Sequence, residues 1–113
     1  MAINQLKSPD GNAQSLRLTD LAAYQEGTVV SREIIRKDVG TVTVFAFDQG
    51  QGLSEHTAPF DAMIIVLDGS AQVTIEQTTH EVGSGYMIIL PAHKSHAVKA
   101  LTPFKMLLVM IRA

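Results

Sequence analysis

Apolar and polar residues change places with a short period along most of this chain. From Thr28 onward the segments TVVSREIIR, GTVTVFAF, AMIIVL, AQVTIE, THEV, YMIIL, HAVKA and FKMLLVMI are rich in β-branched and aromatic residues. Between them lie DVG, DQGQG, LDGS and GSG and the prolines Pro59, Pro91 and Pro103. Short runs of this kind, separated by turn residues and without intervening helical patterns, predict an all-β chain folded as an antiparallel sandwich or barrel. Helical signals are confined to LTDLAAYQEG, where Asp20 stands as N-cap and Gly27 as terminator of one or two turns. Met1 to Ser15 is polar, with Pro9, Gly11, Asn4, Gln5 and Asn12, and is expected to be an arm outside a barrel spanning residues 28–113.

Side chains two apart on a strand share a face, which sorts these runs further. If His56 points inward, so do Ala58 and, beyond Pro59, Ala62, Ile64 and Val66; on a later strand His96 shares its face with Val98 and Ala100. Both histidines are therefore expected to enter one cavity. The opposite faces carry Met63, Ile65 and Leu67, and the last strand is apolar on both sides, with Leu107, Val109 and Ile111 against Met106, Leu108 and Met110. Strands apolar on both faces predict that something covers the outer one, and a second copy of the chain is the simplest cover. A homodimer is expected, with the N-terminal arm 1–15 as a pairing element.

Composition limits what the barrel does. One domain accounts for 113 residues, and 46% hydrophobic content is enough for a core. Nine Lys and Arg stand against eleven Asp and Glu without blocks of either sign, so no footprint for nucleic acid or an anionic membrane is present. Cysteine is absent, which removes disulfides, thiolate metal ligands and a Cys nucleophile. No apolar run approaches the ~20 residues of a membrane span, and the first residues lack a secretory signal's apolar core, so the expected location is cytoplasmic. Ser54, Ser70, Ser84 and Ser95 lie in no nucleophile-elbow context, and GQG and GSG read as turns rather than phosphate loops.

GQGLSEHTAPFDAMIIVLDG (residues 50–69), the intermotif AQVTIEQTTHEV and GSGYMIILPAHKSHAVKA resemble the two motifs of a small single-domain cupin, over most of the chain from about Val30. The resemblance implies an RmlC-like jelly roll. It also implies a divalent metal, commonly held by three histidines and one carboxylate. His56 matches the first histidine of motif one, Ala58 stands at the second, Ala62 at the glutamate, and Gly69 at the closing glycine. In motif two Gly85 and Pro91 match, His93 stands where a glycine is usual, His96 matches the metal histidine, and Ala100 replaces the usual asparagine. Two imidazoles alone fall short of a zinc site, and a non-haem iron triad needs a carboxylate. A third ligand would have to come from His93, or from Asp61 if a bulge after Pro59 turned it inward.

Three readings follow. In the first, the barrel binds a small organic molecule bearing a carboxylate or carbonyl, held by His56 and His96 with Ala58, Ala62, Ile64 and Tyr86 as further contacts. In the second, it is an oxygenase or isomerase whose Zn, Fe, Mn or Ni is held by His56, His96 and His93. In the third, its outer surface meets another protein. His80 is expected on the surface, Glu55 and Asp61 as rim charges or loop caps, and Phe60 and the methionines first as packing. Tyr86 also reads first as packing.

Overall fold

The computed structural model describes residues 14–113, so the arm 1–15 lies almost wholly outside the described residues. The described residues form nine strands: β1 (Val29–Lys37), β2 (Gly40–Phe47), β3 (Gly52–His56), β4 (Phe60–Asp68), β5 (Ser70–Ile75), β6 (Thr78–Gly83), β7 (Met87–Leu90), β8 (His96–Ala100) and β9 (Phe104–Arg112). They make two antiparallel sheets, β1-β2-β9-β4-β7 and β3-β8-β5-β6. The chain changes sheet at every connection except β1–β2 and β5–β6, which is the jelly-roll arrangement that the strand pattern and its resemblance anticipated.

β3 is the strand the hydrophobic pattern did not show. Its sequence, GLSEH, is mostly exposed, and pairing with β8 makes it a strand although its own residues have little β propensity. His56 thus ends a strand rather than sitting in a loop.

The core fills the space between the sheets. Ala62, Ile64 and Val66 from β4 face Ala71 and Val73 from β5 and Val98 and Ala100 from β8, with Phe47, Phe104 and Met106 beside them. This is the inward set that parity selected. Gly69, between β4 and β5, has φ +72, and a Cβ there would collide with the carbonyl of Pro103. The closing glycine of the first motif is therefore required for the crossing between sheets.

The expected short helical turn is present, and its placement is corrected. Among the described residues a single 3-10 turn forms, over Leu18–Asp20, and Asp20 is its last residue rather than its N-cap. Leu21 and Ala22 instead pack on Val44 and Ala46, on the outer face of the five-stranded sheet. Tyr24 donates its hydroxyl to Asp68 Oδ2 at 2.6 Å, and the Lys105 ammonium lies 4.8 Å from the centre of its ring. Burial and the Asp68 carboxylate push the Tyr24 hydroxyl well above its ordinary pKa, so it stays a donor. Tertiary anchors of this kind outweigh a short segment's weak helical preference. Gly27 (φ +70) serves the turn into β1 instead.

This segment covers one end of the outer face. Away from it Ile35, Val39, Met87, Ile89 and Ile111 stay exposed. Among the described residues no helix is long and apolar enough to cross a membrane.

Candidate functional site

At the end of the barrel away from Phe47 and Phe104, β3 and β8 bring the two histidines together. A register irregularity between Leu53 and His56 leaves His56 directly opposite His96. The ring centres are 4.4 Å apart and meet edge to face at 69°. His96 is only 8% exposed, whereas His56 lies at the rim.

Each imidazole is anchored in the same way. His56 Nδ1 lies 2.7 Å from the carbonyl of Ser54, and His96 Nδ1 lies 3.1 Å from the carbonyl of Lys94. A carbonyl only accepts, so Nδ1 carries the proton in both rings and donates it, and each Nε2 is left as the ring's acceptor. Burial, the first cause, and the neighbouring His56 hold His96 below its ordinary pKa, and the Lys94 carbonyl opposes this in part. Burial thus favours the neutral form of His96, whose Nε2 is then a hydrogen-bond acceptor.

The rest of the wall is apolar. Leu53, Ala58, Phe60, Ala62, Ile64, Leu90, Val98, Met106, Leu108 and Met110 line it with the two histidines. On β4 the register sets Ala62 between Leu90 and Met110, and Ile64 opposite Leu108. The space open to the centre of a water-sized sphere is about 40 Å³, enough for about three waters at roughly 10–15 Å³ each. Ala58 and Ala62 help keep that space open, since a larger side chain at either would enter it.

The remaining predicted contacts are placed elsewhere. Tyr86 is 71% exposed and does not line the cavity. It follows Gly85 (φ +86), its N–H bonds the Gly83 carbonyl, and it precedes the first residue of β7, so strand parity does not extend to it. His93 is exposed and also off the cavity wall. Its backbone is left-handed (φ 66) and its N–H donates to the Ala58 carbonyl at 2.8 Å. The position where the resemblance expects glycine thus has the conformation that favours glycine, and histidine is among the side chains that tolerate it. Asp61 caps the next loop by accepting the Ala92 N–H at 2.9 Å, and Glu55 accepts the Ser95 hydroxyl at 2.7 Å. His80 is exposed on β6.

The donor set does not fit a resident metal. Among the described residues no three His, Asp or Glu side chains gather to hold one ion. Alanine stands at two of the ligand positions, and neither His93 nor Asp61 replaces them. Two imidazoles fall short of the three or four protein ligands of a zinc site and lack the carboxylate of an iron triad.

The pairing of strands also brings in groups that sequence reading passed over as site residues. Leu53, Leu90, Val98 and Leu108 complete the wall, and Arg112 stands at its mouth, opposite Phe60 in the β4–β9 register with its guanidinium 5.0 Å from the ring centre. The alternation Met106, Leu108, Met110 carried one step further points to Arg112.

Two antiparallel sheets closed over a small apolar cavity with a histidine pair define a jelly-roll barrel. The cupin domain family matches residues 43–111, and the chain belongs to that family. Its fold is similar to that of a conserved protein of unknown function from Streptococcus pyogenes, with 36% identity, 90% of each chain covered and a TM-score of 0.87. A cupin superfamily protein from Desulfitobacterium hafniense is 26% identical over 90% of this chain and 94% of that one, with a TM-score of 0.86. A cupin 2 conserved barrel domain protein from Leptotrichia buccalis is 37% identical over 83% of this chain and 46% of that longer one, with a TM-score of 0.81. None of the curated proteins matches the sequence.

Proposed function

We propose that this cupin binds a small organic molecule in its barrel, through His56 and His96, without a resident metal. One observation carries the reading: both imidazoles give Nδ1 to a backbone carbonyl and keep Nε2 bare at a small apolar cavity. Such a pair accepts hydrogen bonds from its ligand. This changes the ligand chemistry expected from sequence, because a carboxylate or carbonyl only accepts and would face two further acceptors. The matching group is a hydroxyl. An ammonium would also donate, but its desolvation in an apolar cavity costs far more.

Titration with hexan-1-ol, followed by the imidazole nitrogen signals in NMR, tests this. The Nε2 signals of His56 and His96 are expected to move together, and His96→Ala is expected to abolish saturable binding. Unmoved Nε2 signals at saturating alcohol would refute the reading.

The same proposal includes a cytoplasmic homodimer. Exposed Met87, Ile89 and Ile111 on the outer sheet face, and a nearly polar-free groove between Ile35, Val39 and Val109, support it. Light scattering at micromolar concentration is expected to give twice the chain mass, and Ile89→Lys, at an exposed position that leaves the core intact, is expected to give a monomer. A wild-type monomer would rule the dimer out.

A further inference from the structure

The histidine cavity opens beside a second, quite different space. A wide groove of about 500 Å³ is lined by Arg36, Lys37, Asp38, Thr41, Phe60 and Arg112, and Phe60 is the residue it shares with the histidine cavity. Three cationic groups face one carboxylate there, although Arg36 also pairs with Glu33 at 3.3 Å. Arg112 is the best placed of the three. It shares the inward side of β9 with Met110, which lines the cavity, and stands two residues, about 7 Å, further along the strand.

Its guanidinium is also held in place. It lies over the Phe60 ring at 5.0 Å, and its Nε donates to the Asp38 carbonyl at 3.5 Å. A planar fork fixed against an aromatic face is suited to a carboxylate, which it can grip with two parallel N–H bonds. An apolar wall leads from this fork past Phe60 to the bare Nε2 atoms.

We propose that the groove is the anion-binding half of one elongated site, and that the ligand class is a short ω-hydroxycarboxylate. Its carboxylate sits on Arg112, its methylenes pass Phe60, and its hydroxyl donates its one proton to an Nε2 of the histidine pair. This rests on the reading of the cavity as a hydroxyl site. Each end of the ligand meets the chemistry it needs: the acceptor end finds donors, the donor end finds acceptors, and the slim cavity admits an unbranched chain.

The test compares 6-hydroxyhexanoate, hexan-1-ol and hexanoate on the wild type and on Arg112→Gln, by calorimetry at low salt, with the imidazole signals followed in parallel. In the wild type 6-hydroxyhexanoate is expected to bind about tenfold or more tighter than either of the others, the scale of one charge-assisted contact. In Arg112→Gln its advantage over hexan-1-ol should vanish while hexan-1-ol affinity is retained. If hexan-1-ol moves the imidazole signals but the carboxylate adds nothing, the anion site is wrong and the hydroxyl cavity stands. If no compound moves them, both fall. An equal loss of all three in Arg112→Gln would make the arginine a structural residue and overturn the proposal.

Discussion

The two ends of the barrel interior share β9, draw otherwise on different strands, and behave as different materials. At one end Phe45, Phe47 and Phe104 stack in sequence, with ring centres 5.7 and 5.0 Å apart, and Phe47 and Phe104 are wholly buried. At the other, β4 presents Ala62 where the stacked end has large rings, and β3 and β8 present imidazoles. Large apolar side chains interlocked without solvent gain both transfer energy and dispersion contacts. Alanines gain little of either and leave a space beside the imidazoles. Stability is concentrated at the aromatic end, and ligand chemistry at the alanine end.

The largest effect is expected from breaking the aromatic end. Phe47→Ala removes a fully buried ring and leaves its neighbours unsupported, a change of about 3–5 kcal/mol in unfolding free energy. Ala58→Val, at the open end, fills existing space and should shift stability by less than about 1 kcal/mol while blocking hexan-1-ol. Urea denaturation of the two variants checks the contrast. Equal losses would mean that the open end is packed as tightly as the other.

The next effect comes from restoring donors where the alanines stand. Ala58→His with Ala62→Glu adds an imidazole and a carboxylate beside His56 and His96, completing a three-histidine, one-carboxylate set. Divalent-metal affinity is expected to rise about a hundredfold or more, the equivalent of roughly 2.7 kcal/mol. Without metal the variant should lose stability, because Ala62 is buried between Leu90 and Met110 and a glutamate there has no partner. Metal content of untagged protein is the measurement. A full equivalent of Zn, Fe, Mn or Ni in the wild type, lost in His96→Ala, would restore the metal-enzyme reading.

How far the sequence carried these conclusions varies by element. β8 was legible to the residue and β4 and β9 to within two residues at their ends, because their inward positions alternate and are apolar or small. The histidine pair followed from the same parity. β3 was not legible, since GLSEH takes its strand form from its partner β8. Tyr86 was misplaced because a glycine turn interrupts the alternation, and the helix at LTDLAAYQEG gave way to anchors on Val44, Asp68 and Lys105 that lie far away in sequence. Arg112 was missed for a similar reason. Its significance depends on Phe60 being its cross-strand neighbour, and no local pattern fixes which strands pair.

The smallest expected effect is on pH dependence, and it separates the two ends by charge rather than packing. His96 is held below its ordinary pKa of 6.5, chiefly by burial. The unfolded chain therefore takes up a proton at a higher pH than the folded one, so folding stability rises with pH in that interval. The contribution is complete above about pH 6.5 and is lost as pH falls through the folded value. The aromatic end contains nothing that titrates there. His96→Asn keeps an N–H to offer the Lys94 carbonyl but cannot be protonated, so its melting temperature should fall less than the wild type's between pH 7 and pH 5. Parallel melting curves for the two proteins over that range would show that the burial of His96 does not disfavour its charged form, and the acceptor character assigned to the pair would lose its support at His96.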